Sequence, residues 1–216
     1  MILRELQALL ADIYDVPVAH DVCDFLVTDL ADFPGVVSGR RNDEQLLVAC
    51  DGDELSLGLY LDAQVLERLS IADPINELNA GNLADCWTAL EGVSHFHYLA
   101  YHAGYDRDVS RLELETQAEI DKYIVTLSLL QRQSPEHFPL ELHSILFANA
   151  QVDSSLPAAR AVLYRHANEC AARYCRRLES LLRRRAEAAR QEAAAELRRF
   201  YRLSGTSKQT QLSRCA

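Results

Sequence analysis

The stretch LPAARAVLYRHANECAARYCRRLESLLRRRAEAARQEAAAELRRFYRL, residues 156–203, decides the predicted fold. After Pro157 it contains neither proline nor glycine, the two residues that most often end a helix. Pro157 itself fits the first turn, where its missing N–H costs nothing. We therefore predict a long basic helix, about 70 Å long if it is continuous. A helix of that length must break, project from the body or pair with a second copy.

The two halves of this predicted helix differ in what they offer to a core. Apolar residues recur at helical spacing as far as Leu182, so the first half is predicted to pack on the body. Residues 186–195 offer almost only alanine, which favours a helix but buries little surface. Three large apolar residues follow, and they predict an arm that ends in a partner-binding tip. The predicted partner-binding residues are Leu197, Phe200, Tyr201, Arg183 and Arg184.

A β-hairpin is predicted in the first third of the chain. Residues 45–50 and 54–61 are two runs of strand length, separated by the turn sequence Asp51-Gly52-Asp53. In the second run leucine alternates with other residues, which indicates one buried face. Residues 22–28 and the pair Val36-Val37 predict further short strand segments.

Helical periodicity dominates the remainder of the chain, and Ser110 with a glutamate three residues later predicts a capping box. The predicted fold class is α+β and predominantly α, with a small antiparallel β-hairpin near the N-terminus, a helical bundle and a long C-terminal basic helix. We predict one globular domain over 1–182, a helical C-terminal extension over 183–203 and a disordered tail over 204–216. The other predicted helices are 2–14, 63–70, 74–79, 81–104, 111–132 and 140–149.

Composition and charge restrict the class of protein. No apolar run approaches the roughly 20 residues that span a bilayer, and the N-terminus lacks a basic segment followed by an apolar one. The six cysteines include no C-x-x-C pair. We therefore expect a cytoplasmic protein without a membrane span.

The net charge of −10 is unevenly distributed along the sequence. Residues 1–158 carry 8 basic and 27 acidic side chains, whereas residues 159–216 carry 14 basic and 5 acidic side chains.

Histidines and glutamates on the two central predicted helices form a candidate metal site. A glutamate and a histidine lie four residues apart on helix 81–104, and two glutamates share that spacing on helix 111–132. If these helices pack antiparallel, the side chains could converge on a divalent metal. The spacing lacks the Glu-x-x-His signature of di-iron bundles, and the alternative is that His97 is a core residue while the others face water. The candidate ligands are Glu91, His95, His102, Glu115 and Glu119.

Three functions follow from these patterns. The first is an interaction, assembly or regulatory module that binds a protein partner or a second copy through the C-terminal helix. The second is a metal-dependent or hydrolytic enzyme that uses the histidines and glutamates, although the sequence contains no common catalytic motif. The third is nucleic-acid binding through the arginine face. The acidic body disfavours this third function because it repels phosphate.

Overall fold

Helices make up most of the computed structural model, and a small sheet lies near the N-terminus, which confirms the predicted α+β, predominantly α class. The structure describes residues 1–29, 43–51, 54–148, 156–184 and 186–213. No helix in those ranges is both long and apolar enough to cross a membrane. The helices are α1 (Ile2–Tyr14), α2 (Ala63–Ile71), α3 (Leu83–Ala103), α4 (Arg111–Gln133), α5 (Ala158–Leu182), α6 (Glu187–Arg202) and α7 (Gly205–Ser213), and the strands are β1 (Leu26–Val27), β2 (Glu44–Asp51) and β3 (Glu54–Leu61).

The predicted hairpin is confirmed by β2 and β3, which pair antiparallel with Glu44 opposite Leu61. β1 adds a short parallel pairing in which Leu26 lies opposite Leu59, so the sheet is mixed and has the order β1-β3-β2. Leu59 and Leu61 are fully buried, as the alternation in this strand predicts. The register therefore places Glu44 beside the buried end of β3.

The strand predicted at 22–28 is mostly a 3₁₀ turn. Val22–Phe25 forms this turn, and the side chain of Asp21 caps it by accepting a hydrogen bond from the Cys23 N–H at 2.9 Å. A local side-chain bond of this kind offers the backbone an alternative to a strand ladder. Only Leu26–Val27 remains as strand.

Two short predicted helices also differ from the structure. Residues 74–76 form a turn and 77–79 have no regular structure, because the preceding aspartate accepts a hydrogen bond from a backbone N–H two residues further on. The helix predicted at 140–149 is reduced to a π-helical segment, Ser144–Ala148. The possible strand at Val36-Val37 lies outside the described residues. The capping box at Ser110 is confirmed.

Helix α3 is the centre of the fold. Helices α1, α2 and α4 and the strands β2 and β3 pack against it. α4 packs in turn on α5, α5 on α6, and α6 on α1, so these helices close a ring around the core. Because α3 has neighbours on most sides, its histidines His95, His97 and His102 are all buried. The expectation that only His97 is buried and the others face water is therefore wrong.

The basic run 156–203 is two helices rather than one, with Ala186 in an extended conformation between α5 and α6. α6 turns back onto the body and buries Leu197, Phe200 and Tyr201, which are 4%, 1% and 1% exposed. Burying a side chain of this size contributes about 1.5–3 kcal/mol. Three such side chains outweigh the few backbone hydrogen bonds lost at one break, each worth about 1 kcal/mol. The prediction of a projecting arm with an exposed apolar tip is therefore wrong.

The predicted disordered tail contains helix α7, which packs against α5. Leu212 and Lys208 are buried in this helix. The Lys208 Nζ donates a hydrogen bond to Gln117 Oε1 at 2.9 Å and lies over two aromatic rings, 4.3 and 4.7 Å from their centroids. These contacts stabilise a polar segment that has no strong apolar pattern of its own. Residues 214–216 lie outside the described part of the chain.

Replacing Leu212 by alanine tests whether α7 is packed. We expect Leu212→Ala to lower the free energy of unfolding by about 2–4 kcal/mol, because it removes a buried side chain from the core. The matched control is Leu140→Ala, since Leu140 is 58% exposed. Denaturant unfolding followed by circular dichroism measures both variants. If Leu212→Ala changes stability as little as the control does, α7 does not pack as described.

A buried polar network connects both ends of the chain to α4. The Tyr14 hydroxyl of α1 donates to Asp121, and Gln117 donates its Nε2–H to Asp121 Oδ1 at 2.8 Å. Lys208 of α7 donates to the same Gln117. Burial raises the pKa of Asp121 to about 6. Tyr14 also stacks on Tyr201, with ring centroids 4.1 Å apart. The N-terminal and C-terminal helices therefore depend on each other.

Candidate metal centre

His95 lies in a buried polar cluster between α3, α4 and β2. Its Nδ1 is 3.5 Å from Glu44 Oε1, and its Nε2 is 3.5 Å from Glu115 Oε2. Burial alone would lower the pKa of His95, but the carboxylates of Glu115 and Glu44 outweigh burial and hold this pKa well above its usual value. The metal-free ring is therefore an imidazolium at neutral pH, placed between two carboxylates.

Lys122 organises the other side of the same cluster. Its Nζ donates to Glu91 Oε2 at 2.6 Å and to Glu119 Oε1 at 2.9 Å. Burial would lower the pKa of Lys122, but these two carboxylates raise it. Burial would likewise raise the pKa of Glu91, but Lys122 outweighs burial and the pKa is lowered. Both groups are therefore charged at neutral pH. The Glu–His cluster consists of Glu44, Glu91, His95, Glu115, Glu119 and Lys122.

Three members of the Glu–His cluster are placed to bind one metal ion. Glu44, Glu91 and His95 each offer a ligand atom, and these atoms lie within 4.8 Å of one another. Metal–ligand bonds near 2.1 Å put the ligand atoms of a tetrahedral site about 3.4 Å apart. The 3.5 Å distance between His95 Nδ1 and Glu44 Oε1 already matches that spacing. Glu91 is the third candidate ligand, and its ligand atom would have to lie closer to the other two for a tetrahedral site.

Two buried atoms of the cluster lack hydrogen bonds. Among the described residues, neither Glu44 Oε1 nor His95 Nε2 has a hydrogen-bond partner. An unpaired buried polar atom costs about 1–3 kcal/mol, so such atoms are rare in folded proteins. Burial also raises the pKa of Glu44, and its ion-pair partner His95 offsets this shift only in part. A divalent cation between Glu44 and a neutral His95 would replace that ion pair.

Glu115 is placed to orient His95 as a ligand. A metal-bound histidine usually donates its second ring N–H to a carboxylate, which fixes the tautomer and the ring orientation. Glu115 Oε2 faces Nε2, the ring nitrogen away from Glu44, at 3.5 Å, which is an ion-pair distance slightly longer than a hydrogen bond. Arg111 lies 3.7 Å from Glu115 Oε1 and helps to hold this carboxylate.

The charge of the cluster and the neighbouring Arg111 together matches one divalent cation. Its four glutamates contribute −4, whereas Lys122 and the neighbouring Arg111 contribute +2. A histidine that binds a metal is neutral. With a neutral His95 the cluster carries −3, and the cluster together with Arg111 carries −2, which a single divalent ion neutralises.

The structure brings four of the five predicted metal-ligand candidates together, and His102 is the exception. Its Nε2 is 3.1 Å from the backbone oxygen of Tyr201, and the guanidinium of Arg107 lies against its ring. Burial and the charge of Arg107 lower the pKa of His102 to about 3. His102 is therefore a neutral side chain in contact with α6, and its predicted place among the ligands is wrong. The four that converge are Glu91, His95, Glu115 and Glu119.

Glu44 and Lys122 were not predicted as members of the cluster. Glu44 reaches it only because β2 packs on α3, a contact between distant parts of the chain. The one sequence signal was an acidic residue directly before a predicted strand, which is common on any surface. Lys122 is one of only two lysines in the chain and lies three residues after Glu119. This spacing could have identified Lys122 as an ion-pair partner of Glu119.

Gly92 of α3 makes room for Glu44. A Cβ atom there would lie 2.6 Å from Leu59 Cδ1 and 2.9 Å from Glu44 Cγ. We expect Gly92→Ala to cost about 1–3 kcal/mol through overpacking and to displace Glu44 from the cluster. Gly104→Ala is the matched control, because the nearest atom would be 3.4 Å away and its φ is −63°. Equal unfolding free energies for the two variants would contradict the close approach of β2 to α3.

The predicted partner-binding residues are divided by the fold. Arg183 and Arg184 are exposed at the end of α5 and line a groove between α4 and α6. Leu197 lies in the floor of that groove, whereas Phe200 and Tyr201 face the core. The apolar members are therefore not available as a surface patch.

Compared with known proteins, the chain matches no protein-family model, no curated protein and no solved structure. The geometry of the Glu–His cluster is therefore the basis for a functional proposal.

Proposed function

We propose that the protein is a divalent-metal-dependent enzyme whose metal ion is held by Glu44, Glu91 and His95. The observation that carries the proposal is the convergence of three ligand atoms within 4.8 Å from β2 and two turns of α3. The net charge of −2 with Arg111 included, the Glu44 Oε1 that lacks a hydrogen bond and the position of Glu115 behind the histidine support it.

Three protein ligands leave a coordination position open, as in catalytic metal sites. A metal ion held by Glu44, Glu91 and His95 would act as a Lewis acid and would supply activated water for hydrolysis. Glu91 and Glu119 are the more exposed members, with side chains 27% and 20% exposed, so a substrate reaches the cluster from their side. Glu119 is placed to accept a proton and Lys122 to stabilise developing negative charge. Metal-assisted hydrolysis is the reaction class that this set of groups supports best.

The mixture of donors also restricts the metal. One imidazole nitrogen with carboxylate oxygens suits zinc, manganese or iron, whereas magnesium and calcium prefer oxygen ligands alone. Zinc and manganese are the ions to test first.

Calorimetric titration of the full chain with Zn²⁺ or Mn²⁺ tests the proposal, and we expect one site per chain. Glu44→Gln and His95→Gln should each weaken binding more than tenfold, because each removes a ligand. Glu67→Gln and His166→Gln are the matched controls, since both side chains are exposed and distant in sequence from the cluster. The proposal fails if no stoichiometric site is found or if the cluster variants bind as tightly as the controls.

Metal binding is expected to strengthen as pH rises, because His95 must lose a proton to bind. Its folded pKa lies above the usual 6.5, so protonated His95 stabilises the metal-free protein below pH 6.5. That contribution is lost as pH rises through the folded pKa, whereas the stabilisation by metal grows. Thermal unfolding with and without Zn²⁺ from pH 6 to 8.5 measures both, with His95→Gln as reference. A metal-induced shift in Tm that does not depend on pH would exclude His95 as a ligand.

An assembly, interaction or regulatory role is the second candidate, and Arg183 and Arg184 are the predicted partner residues that remain exposed. Light scattering on the full chain tests self-association. A monomer at all concentrations would leave only a different protein as partner. We place this role and the enzyme alike in the cytoplasm, where reduced thiols persist, and four cysteines in the described part of the chain are free.

Nucleic-acid binding stays a disfavoured prediction. Several arginines of the basic face pair with the chain's own glutamates, among them Arg177 with Glu196 at 2.8 Å and Arg176 with Glu179 at 3.3 Å. Electrostatic binding is strongest at low salt. A mobility-shift assay at low salt is therefore decisive, and no binding there would exclude this function.

A further inference from the structure

A groove of about 530 Å³ lies between α4, α6 and the segment that follows α4. Its lining includes no member of the Glu–His cluster, so it is a separate feature of the molecule. Its volume falls within the roughly 300–1,000 Å³ that small-molecule sites occupy. We call it the arginine groove.

The arginine groove collects positive charge from three helix ends. Arg132 of α4, Arg190 of α6 and Arg184 just after α5 line it, and none of their guanidinium groups has an ion pair or hydrogen bond to another described residue. Asp12 is the one acidic residue of the lining within the described ranges. Like charges that converge repel one another, and an anion relieves this repulsion.

Two further arginines line the groove, and their guanidinium groups form hydrogen bonds to other groups of the protein. Arg183 donates to Glu179 Oε1 at 2.6 Å, and its guanidinium lies 5.6 Å from the centroid of the Phe138 ring. Arg198 donates to the backbone oxygen of Ile13 at 3.4 Å. The three unpaired guanidinium groups are therefore the ones available to a ligand.

The floor of the groove is apolar. Ile13 of α1, Leu127 of α4 and Leu197 of α6 contribute to it, and the last two are buried. A purely ionic ligand such as phosphate would leave this apolar surface exposed to solvent. An apolar ligand without a charge would leave the guanidinium groups uncompensated. The lining therefore favours a molecule that carries both features.

We propose that the arginine groove binds a small amphipathic anion, whose carboxylate or phosphate head pairs with Arg184, Arg190 and Arg132 and whose apolar tail lies on the floor between α4 and α6. Guanidinium groups bind both kinds of head through paired N–H donors. The ligand is a small molecule rather than a partner helix, because a volume of about 530 Å³ is that of a small-molecule site. The inference is independent of the metal centre.

Calorimetric titration with dodecanoate below its micellar concentration tests the inference. We expect saturable binding of one dodecanoate per chain, and at least tenfold weaker binding by the double variant Arg184→Gln/Arg190→Gln. The matched control is Arg160→Gln/Arg165→Gln, which changes two exposed arginines at the other end of α5 and should bind like the parent. Dodecyl phosphate in place of dodecanoate shows which head the groove prefers.

Dodecyltrimethylammonium has the same tail and the opposite charge, and we expect it not to bind at this site. The inference is overturned if this cation binds as tightly as dodecanoate, since binding would then be apolar adhesion alone. It is also overturned if dodecanoate does not bind, or if both double variants bind it as the parent does. His95→Gln should bind dodecanoate normally, which separates this result from any failure of the metal proposal.

Discussion

Tyr201→Ala is expected to lower the free energy of unfolding by about 3–5 kcal/mol, one of the largest effects of any single substitution in this chain. The side chain is 1% exposed and stacks on Tyr14, with ring centroids 4.1 Å apart. It also meets Tyr98 edge-on at 5.0 Å. Alanine removes these contacts and leaves a cavity between α1, α3 and α6. Domains of this size are stable by about 5–15 kcal/mol, so the loss is a large fraction of the total.

The control for this substitution is Tyr105→Ala, because Tyr105 is the same residue type and is 68% exposed. Denaturant unfolding of both variants distinguishes a projecting C-terminal helix from one that folds back onto the body. A projecting tip would make Tyr201→Ala as harmless to stability as Tyr105→Ala, with an effect on association alone. The folded-back α6 requires a large difference between the two variants.

Lys122→Met is expected to cost about 3–5 kcal/mol, because it leaves buried carboxylates without their shared cation. Lys122 Nζ lies 2.6 Å from Glu91 and 2.9 Å from Glu119, and it is 8% exposed. Methionine retains much of the length of the side chain and removes only the charge. The cost therefore comes from electrostatics rather than from a cavity.

The same variant connects stability with metal binding. Without Lys122 the cluster carries one more negative charge, so a divalent cation should return part of the lost stability. An ion at a hundred times its Kd would contribute about 2.7 kcal/mol. Arg68→Met is the control, because it breaks an exposed ion pair with Asp85 and should change stability little, with or without metal. If Zn²⁺ and Mn²⁺ restore nothing to Lys122→Met, the proposed ion does not occupy this cluster.

Local patterns in the sequence predict the elements of this fold better than their arrangement. Spacing along the chain identifies α3, α4 and the β2–β3 hairpin, and the capping box at Ser110 marks the start of α4. The turn at Ala186 has no such local signal. It arises because α6 gains more by burying Phe200 and Tyr201 in the core than by continuing α5.

Sequence spacing likewise predicts only those members of the candidate metal centre that lie on one helix, and not those that tertiary packing brings in. Helical spacing places Glu91 beside His95 and Glu115 beside Glu119, and the packing of α3 on α4 brings the two pairs together. Glu44 comes from a strand far away in sequence, so no periodicity could have predicted it. His102 has the correct spacing along α3, but α6 and Arg107 occupy its surroundings.

The stacking of Tyr14 on Tyr201 has a consequence for how the protein is made. At 5–20 residues per second, a ribosome needs roughly 10–40 s to travel from the first of these tyrosines to the second. During that time α1 exposes the apolar face that α6 later covers. The nascent chain therefore cannot complete its core until α6 has been synthesised, and products that end before α6 should aggregate or depend on chaperones.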